Sequence, residues 1–351
     1  MHILCKNLLQ DRDLEMNKNI EIVVDHNFHL KTQTVMDDWE SRRSKEYKSY
    51  RQEWHNNPKK NILNGFPIHL DIEATSACNF LCTMCPRTEM MENKTFWKVE
   101  NFDMKTYEKI VSEGVLKGLR SIKFQYLGEP LVNKNLVKMI KFAKRAGVVD
   151  VMFNTNASLL TEKKSKEIIL SGVDKVFFSF DSPYKEKFNE IRVKGNYDEV
   201  LSNIKNFMKI KKELKSETPI TRVQMVLMKE NREEWNDFQK LFSGIVDTIA
   251  YVDYLDHGTQ SNQKDKGVVE IGSRKKIFCC PQLWQRMFVH PDGVVTPCCI
   301  DSNRELVMGN VNKNSIDEIW NNETYKDIRE KHLNGKINEI PTCRKCPLAK
   351  Y

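Results

Sequence analysis

No apolar run in this sequence approaches the roughly 18 residues that a membrane-spanning helix needs, so a helical membrane protein is excluded. The opening MHILCKNLLQDRDLE brings in Lys6, Asp11 and Arg12 too early for the apolar core of a secretory signal, and a cytoplasmic location is expected. Charge of one sign is also missing. The 56 lysines and arginines are interleaved with 48 acidic residues for a net charge of +8, and no RNA- or DNA-binding signature accompanies the excess. A solvated, lysine-rich surface is expected, with neither membrane nor nucleic acid as a partner. With 40% hydrophobic residues in 351, the chain can bury one large core and a smaller module. Cysteine, by contrast, is plentiful. Ten cysteines in a chain expected in the reducing cytosol point to metal binding or catalysis instead of disulfides.

Residues 1–65 show no clear strand after IEIVV. Within DDWESRRSKEYKSYRQEWHNNPKK, Trp39, Tyr47, Tyr50 and Trp54 recur at near-helical spacing among charges. This predicts a mostly helical extension whose aromatic face docks on the main domain. Stacking on nucleic acid is the competing reading of the same pattern. From residue 66 to 256 six apolar, β-branched runs recur: IHLDIEAT, SIKFQYLG, DVMFNTN, KVFFSFD, TRVQMVLM and TIAYVDYL. Helix-period segments lie between them, and Gly118, Gly147 and Gly172 fall near helix ends. Repeated βα units imply a parallel sheet, and six of them suit an α/β fold of the partial, TIM-like (β/α)6 barrel type. Residues 257–273 form a polar loop. Residues 274–351 form a small cysteine-rich domain with a hairpin turning at Pro291-Asp292-Gly293 and one helix over SIDEIWNNETYKDIREKHL, capped near Ser315.

The first cysteine group, Cys78, Cys82 and Cys85, begins just past the first strand, where barrel folds keep their chemistry. A 4Fe-4S cube offers four iron corners to thiolates, so three ligands leave one corner open, as catalytic metal sites do. Spacing alone also allows a zinc site completed by a distant histidine, or reduced buried thiols.

C-x3-C-x2-C directly after the first strand of a six-unit βα domain resembles the radical S-adenosylmethionine (radical SAM) family. The resemblance implies SAM as cofactor, with its amino and carboxylate groups on the open iron of a SAM-binding 4Fe-4S cluster, and a 5′-deoxyadenosyl radical that abstracts a substrate hydrogen. It extends to successive strand ends. In LGEP, Gly128 and Glu129 match the motif whose carboxylate holds the SAM ammonium by a charge-assisted hydrogen bond. In NTNAS, Thr155 and Asn156 match polar positions near the cofactor, and in SFDS, Ser179 and Asp181 match positions near the ribose and carboxylate. Arg192 in NEIRVKG resembles the arginine that pairs with the SAM carboxylate. Met84 stands where the family commonly has an aromatic residue over the adenine, and its thioether can fill that space. Leu127 replaces a glycine, and TNA replaces TNG.

Cys280 and Cys298, with 17 residues between them, and the C-x2-C pair Cys343 and Cys346 make a second set of four thiols. By spacing alone this is also a zinc-ribbon pattern. Behind a radical SAM domain it resembles the SPASM/twitch extension, which implies one fully ligated auxiliary 4Fe-4S cluster. Cys279 and Cys299 sit beside proposed ligands as alternative ligands, spectator thiols or, for Cys299, a hydrogen-atom donor to a substrate radical. Cys5 reads as a free thiol. The resemblance is to single-auxiliary-cluster dehydrogenases and epimerases. It implies dehydrogenation or epimerisation of a carbohydrate- or aminocyclitol-type alcohol, with a reducing protein such as flavodoxin or ferredoxin as partner. A peptide-modifying maturase and a non-catalytic two-cluster redox scaffold are the alternatives. Tyr126, Tyr254, Asp256 and His257 are candidate bases near strand ends.

Overall fold

The computed structural model describes residues 20–22, 28–30, 34–96, 98–255, 266–267 and 277–349. Cys5, Asp256 and His257, and all but two residues of the 257–273 loop, lie outside them.

Period-2 alternation builds the barrel wall. The six strands are β1 (His69–Ile72), β2 (Ser121–Phe124), β3 (Asp150–Thr155), β4 (Lys175–Ser179), β5 (Ile220–Leu227) and β6 (Thr248–Asp253), all parallel and hydrogen-bonded in sequence order. One face carries Leu70, Ile72, Ile122, Phe124, Val151, Phe153, Val176, Phe178, Val223 and Met225, none of them accessible to solvent, packed under the helices. The other face carries Asp71, Lys123, Gln125, Asn154, Phe177 and Arg222, which converge on the interior of the curved sheet. Helices close the crossovers where the sequence supplies caps. Asp103 accepts from Thr106 N–H to start the first crossover helix, Met104–Lys117, and Gly118 ends it at φ +112°.

The sheet does not stop at six strands. β7 (Arg286–Val289) of the cysteine-rich domain pairs parallel with β1, and β8 (Val294–Thr296) and β9 (Gly309–Asn310) extend it antiparallel. At the opposite edge Phe28–Leu30 pairs antiparallel with β6, so a strand follows IEIVV where the sequence pattern shows none. Three residues are too few for a period to register.

The aromatic segment is two helices, Thr34–Ser41 and Lys45–Lys59, broken where Ser44 accepts the Tyr47 N–H as an N-cap. Trp39, Tyr47, Tyr50 and Trp54 stack edge to face and pack on Ile68 and Ile220, closing the amino-terminal end of the barrel. Lys175 Nζ donates to Tyr47 Oη at 2.8 Å and pairs with Asp150 at 2.9 Å, and Gln285 Nε2 donates to the Trp54 carbonyl at 2.7 Å. These aromatic rings are core, not a nucleic-acid platform.

The helix expected over residues 315–333 is also two, Ile316–Trp320 and Glu323–Leu333. Ser315 and Glu318 form a capping box for the first, and Asn322 accepts the Tyr325 N–H to start the second. The hairpin turns at Gly293, φ +83°, where a Cβ would run into the side chains of Asn310 and Asn312.

Candidate active site

The loop leaving β1 carries Cys78, Cys82 and Cys85. Leu81–Cys82 pairs with Arg192–Val193, placing Arg192 opposite Cys82 across 110 residues of sequence. Arg192 is buried. One of its Nη atoms pairs with Asp181 at 2.6 Å, the other lies 3.9 Å from Cys82 Sγ, and its Nε finds no hydrogen-bond acceptor among the described residues. Burial pushes the Cys78 thiol up to about 11 and Cys82 up to about 12, and raises Cys85 as well. Arg192 opposes the rise at Cys82 and Arg87 at Cys78. Thiols held this way ionise readily only when a metal replaces the proton.

Glu129 ends β2's loop and is 3% exposed. It accepts from Thr155 Oγ1 at 2.8 Å, Asn156 N–H at 2.7 Å and Leu131 N–H at 3.1 Å. Burial pushes its carboxyl up, against the pull of those three donors. It is a desolvated anion fixed by neutral donors, a fit for an incoming ammonium. The Asn156 side chain joins Asn79 at 3.0 Å and accepts from Ser158 at 2.7 Å, tying the β3 end to the cysteine loop. Thr155 and Asn156 therefore hold Glu129 and Asn79 in place. Gly128 is dictated by contact, because a Cβ there would collide with the Thr75 and Ala77 carbonyls of the loop leading to Cys78.

Asp181 is inaccessible and accepts the Val226 N–H at 2.8 Å while pairing with Arg192. Burial raises its carboxyl, and Arg192 opposes the rise. Ser179 is half-buried at the end of β4. Met84 packs with Ile191, Met228 and Tyr254 in a small apolar cluster beside Cys82. Of the candidate bases, Tyr126 donates its hydroxyl to the Asp301 carbonyl at 3.0 Å and Tyr254 is buried in the Met84 cluster.

In the carboxyl-terminal domain Cys280, Cys298, Cys343 and Cys346 line one small cavity, walled mostly by apolar groups such as Phe278, Leu283, Ile300, Leu306 and Leu348. Burial pushes the Cys280 thiol up to about 12 and raises Cys298 and Cys343. Cys279 and Cys299 do not line it. Cys279 is buried in the main core, and Cys299 accepts from Gln282 Nε2 at 3.7 Å. Among the described residues no three His, Cys, Asp or Glu side chains are gathered tightly enough to chelate a single ion. Thiols spread around a cavity suit a cluster, whose irons stand apart, better than one zinc with bonds of about 2.3 Å.

Sequence reasoning missed His332. It lies in the same cavity, 1% exposed, and its Nδ1 accepts the Cys280 N–H at 3.2 Å. Burial pushes the ring down to about 4, so it is neutral. Its proton then sits on Nε2, 3.4 Å from Cys343 Sγ. The missed lumen residues, Asp71, Lys123, Phe177 and Arg222, carried a legible signal in the strand alternation: each stands at the polar phase of a buried strand.

Among the described residues no helix is long and apolar enough to cross a membrane. The Radical SAM superfamily profile matches residues 72–242, and that of the SPASM iron-sulfur cluster-binding domain matches 279–347. The chain is 25% identical over 324 residues to the tungsten-containing aldehyde ferredoxin oxidoreductase cofactor-modifying protein of Pyrococcus furiosus, covering 80% of this chain and 87% of that one. It is 23% identical over 282 residues to the S-adenosyl-L-methionine-dependent 2-deoxy-scyllo-inosamine dehydrogenase of Niallia circulans, covering 79% and 91%. In fold it resembles Streptococcus suis SuiB bound to precursor peptide SuiA, with a TM-score of 0.61, 14% identity and coverage of 81% and 71%. With the barrel and the cysteine-rich domain both matched, the chain carries a radical SAM domain followed by a SPASM domain, with SAM, a 4Fe-4S cluster and auxiliary iron-sulfur chemistry as its cofactors.

Proposed function

We propose that this radical SAM enzyme is an oxidoreductase that dehydrogenates or epimerises a carbohydrate- or aminocyclitol-type alcohol. The observation that carries the reading is the auxiliary cavity. Four thiols close it, so a cluster held there has no thiol ligand missing and suits electron transfer better than substrate ligation. The Niallia circulans relative, a dehydrogenase by name, supports the same reaction class.

When bound, SAM with its reduced cluster supplies a 5′-deoxyadenosyl radical for hydrogen abstraction, and the auxiliary cluster supplies an acceptor for the electron left behind. The chain's own residues do the rest. Cys78, Cys82 and Cys85 would hold the first cluster, and Cys280, Cys298, Cys343 and Cys346 would hold the second. Glu129, fixed by Thr155, Asn156 and Leu131, would accept from the SAM ammonium. Arg192, held by Asp181 at one Nη, would offer its Nε to the SAM carboxylate. Ser179 would serve the ribose and Met84 the adenine. Cys299, outside the auxiliary cavity, is a thiol open to the hydrogen-donor role that inversion, but not dehydrogenation, requires. A reducing protein of the flavodoxin or ferredoxin type supplies the first electron.

The test is an anaerobic assay of the reconstituted enzyme across sugars, nucleotide sugars and aminocyclitols, read as 5′-deoxyadenosine together with oxidised or inverted product. Peptide turnover with no such product would replace this reading with the maturase. Cluster binding without SAM cleavage on any substrate would leave the redox scaffold.

A further inference from the structure

Three basic residues of the barrel lumen, Lys123, Arg222 and Arg286, have no part in holding the cofactors. Lys123 projects from β2 and is half-buried, yet among the described residues it makes no hydrogen bond or ion pair. Its Nζ lies 5.2 Å from the Phe177 ring centroid, and the Arg222 guanidinium lies 3.7 Å from the same centroid. Arg222 also donates to Gln224 Oε1 at 2.8 Å. Arg286 of β7 reaches Asp71 at 3.3 Å. That carboxylate is already shared, with His69 at 3.4 Å and Gln125 Nε2 at 2.6 Å, so its charge is engaged on the β1 wall.

We propose that this layer is an oxyanion subsite: the substrate carries a phosphate or carboxylate group that seats between Lys123 and Arg222, with Arg286 contributing long-range attraction. The inference rests on the oxidoreductase reading and names its substrate class, an anionic sugar or cyclitol derivative in place of a neutral one. A half-buried ammonium that no described carboxylate pairs, set beside the same ring as the Arg222 guanidinium, keeps part of its desolvation cost. That cost is visible at Lys123, whose ammonium is pushed down to about 7 by burial first and then by Arg222, with Arg286 adding to it and Asp71 opposing. An anion at this point removes the cost and gains charge-assisted hydrogen bonds.

The geometry also sets direction. The amino-terminal end is closed, with Trp54 packed on His69 at 5.4 Å between ring centroids, so a ligand comes in from the SAM side. Lys123 stands two residues below Gln125 on β2, about 7 Å deeper at about 3.3 Å rise per residue. The anion therefore seats deep, and a carbinol several bonds away is left at the strand ends beside Glu129 and Arg192. A peptide backbone offers no such terminal oxyanion except at a side chain or chain end.

The experiment uses anaerobically reconstituted holoenzyme with SAM bound. Calorimetry with inorganic phosphate and with sulfate is compared between wild type, Lys123→Met, Lys123→Gln and Lys123→Arg, with iron content and SAM affinity confirming that each variant is intact. Saturable binding that weakens about tenfold or more in Lys123→Met and Lys123→Gln and returns in Lys123→Arg is expected. Absence of saturable binding in wild type, or equal binding in the charge-removing variants, overturns the proposal. Turnover separates it from the reading it rests on. Oxidation of neutral aminocyclitols with no preference for their phosphorylated or carboxylated forms sinks the anion subsite and leaves the oxidoreductase standing. Anion binding at Lys123 with peptide as the turned-over substrate does the reverse.

Discussion

Replacing Glu129 by Gln removes one negative charge while keeping size and shape, and the structure sets how much that change costs. In the wild type the carboxylate is 3% exposed and accepts three hydrogen bonds, two on Oε1 from Thr155 and Leu131 and one on Oε2 from Asn156. A glutamine oxygen in the Oε1 place keeps two of them. Its amide nitrogen then faces the Asn156 N–H, 2.7 Å from Oε2, donor against donor, at a folding cost of about 1–3 kcal/mol for the unsatisfied group. Towards SAM, the loss is a buried, charge-assisted hydrogen bond to an ammonium, worth about 1.5–3 kcal/mol. At about 1.4 kcal/mol per decade, SAM affinity falls roughly 10- to 100-fold. The assay is SAM binding to anaerobically reconstituted protein by calorimetry, with iron and sulfide content and thermal unfolding measured on the same sample. An affinity within about threefold of wild type, in a variant with its iron intact, would refute the assignment of Glu129 to the ammonium, because less than about 0.7 kcal/mol would then separate a charged partner from a neutral one.

Gly128→Ala drives a methyl group into the Thr75 carbonyl, and since backbone cannot yield as a side chain does, the loop carrying Cys78 must move. Reduced iron per chain or weakened SAM binding is expected, and wild-type values of both would contradict it. His332→Phe removes an N–H directed at Cys343 Sγ, a bond that favours the more negative, reduced cluster. The auxiliary midpoint potential in an EPR-monitored redox titration should drop, and an unchanged potential at full iron content argues that the bond does not form. Sulfate, which does not titrate near neutrality, should bind more tightly as pH falls through about 7, where the Lys123 amine gains its proton, and lose affinity above it. Asp71 and His69 face that amine from β1, Arg222 from β5, Arg286 from β7 and Cys299 from the SPASM domain. With Asp71 held down at about 2, His69 pushed down by burial and the guanidiniums charged throughout, Lys123 is the group that changes across this window, and a flat profile would overturn the assignment. Lys175→Met strands Asp150, an inaccessible carboxylate whose Oδ1 has no hydrogen-bond partner among the described residues, and a loss of about 3–5 kcal/mol should appear as a lower unfolding midpoint.

The barrel was legible because its signals are local. Five of the six parallel strands fall inside a run of apolar, β-branched residues and β5 starts one residue ahead of its run, while the crossover helices between them start and stop at side chains and glycines visible in the text. Legibility failed where a cap competes with a continuing helix. Ser44 and Asn322 each accept the N–H of a residue three positions on, so an apparently continuous helical pattern divides in two. It failed again at Phe28–Leu30, whose pairing with β6 comes from more than two hundred residues away.

The site divides along the same line. Cys78, Cys82 and Cys85 sit on one short loop, and their spacing by itself determined a three-thiol centre after the first strand; the order of LGEP, NTNAS and SFDS at successive strand ends carried the family resemblance. Only the tertiary structure decided what those residues touch. A two-residue bridge brings Arg192 to Cys82, four cysteines from two separated segments close on one apolar cavity, and His332 turns a single N–H toward one of them. It also brought Lys123 and Arg222, from two strands, to the same Phe177 ring, and Arg286, from a third, to Asp71. The physical reason is that alternation along a strand tells which face a side chain takes, whereas the neighbours it meets depend on which strands pair, and that is set by the order and register of the curved sheet.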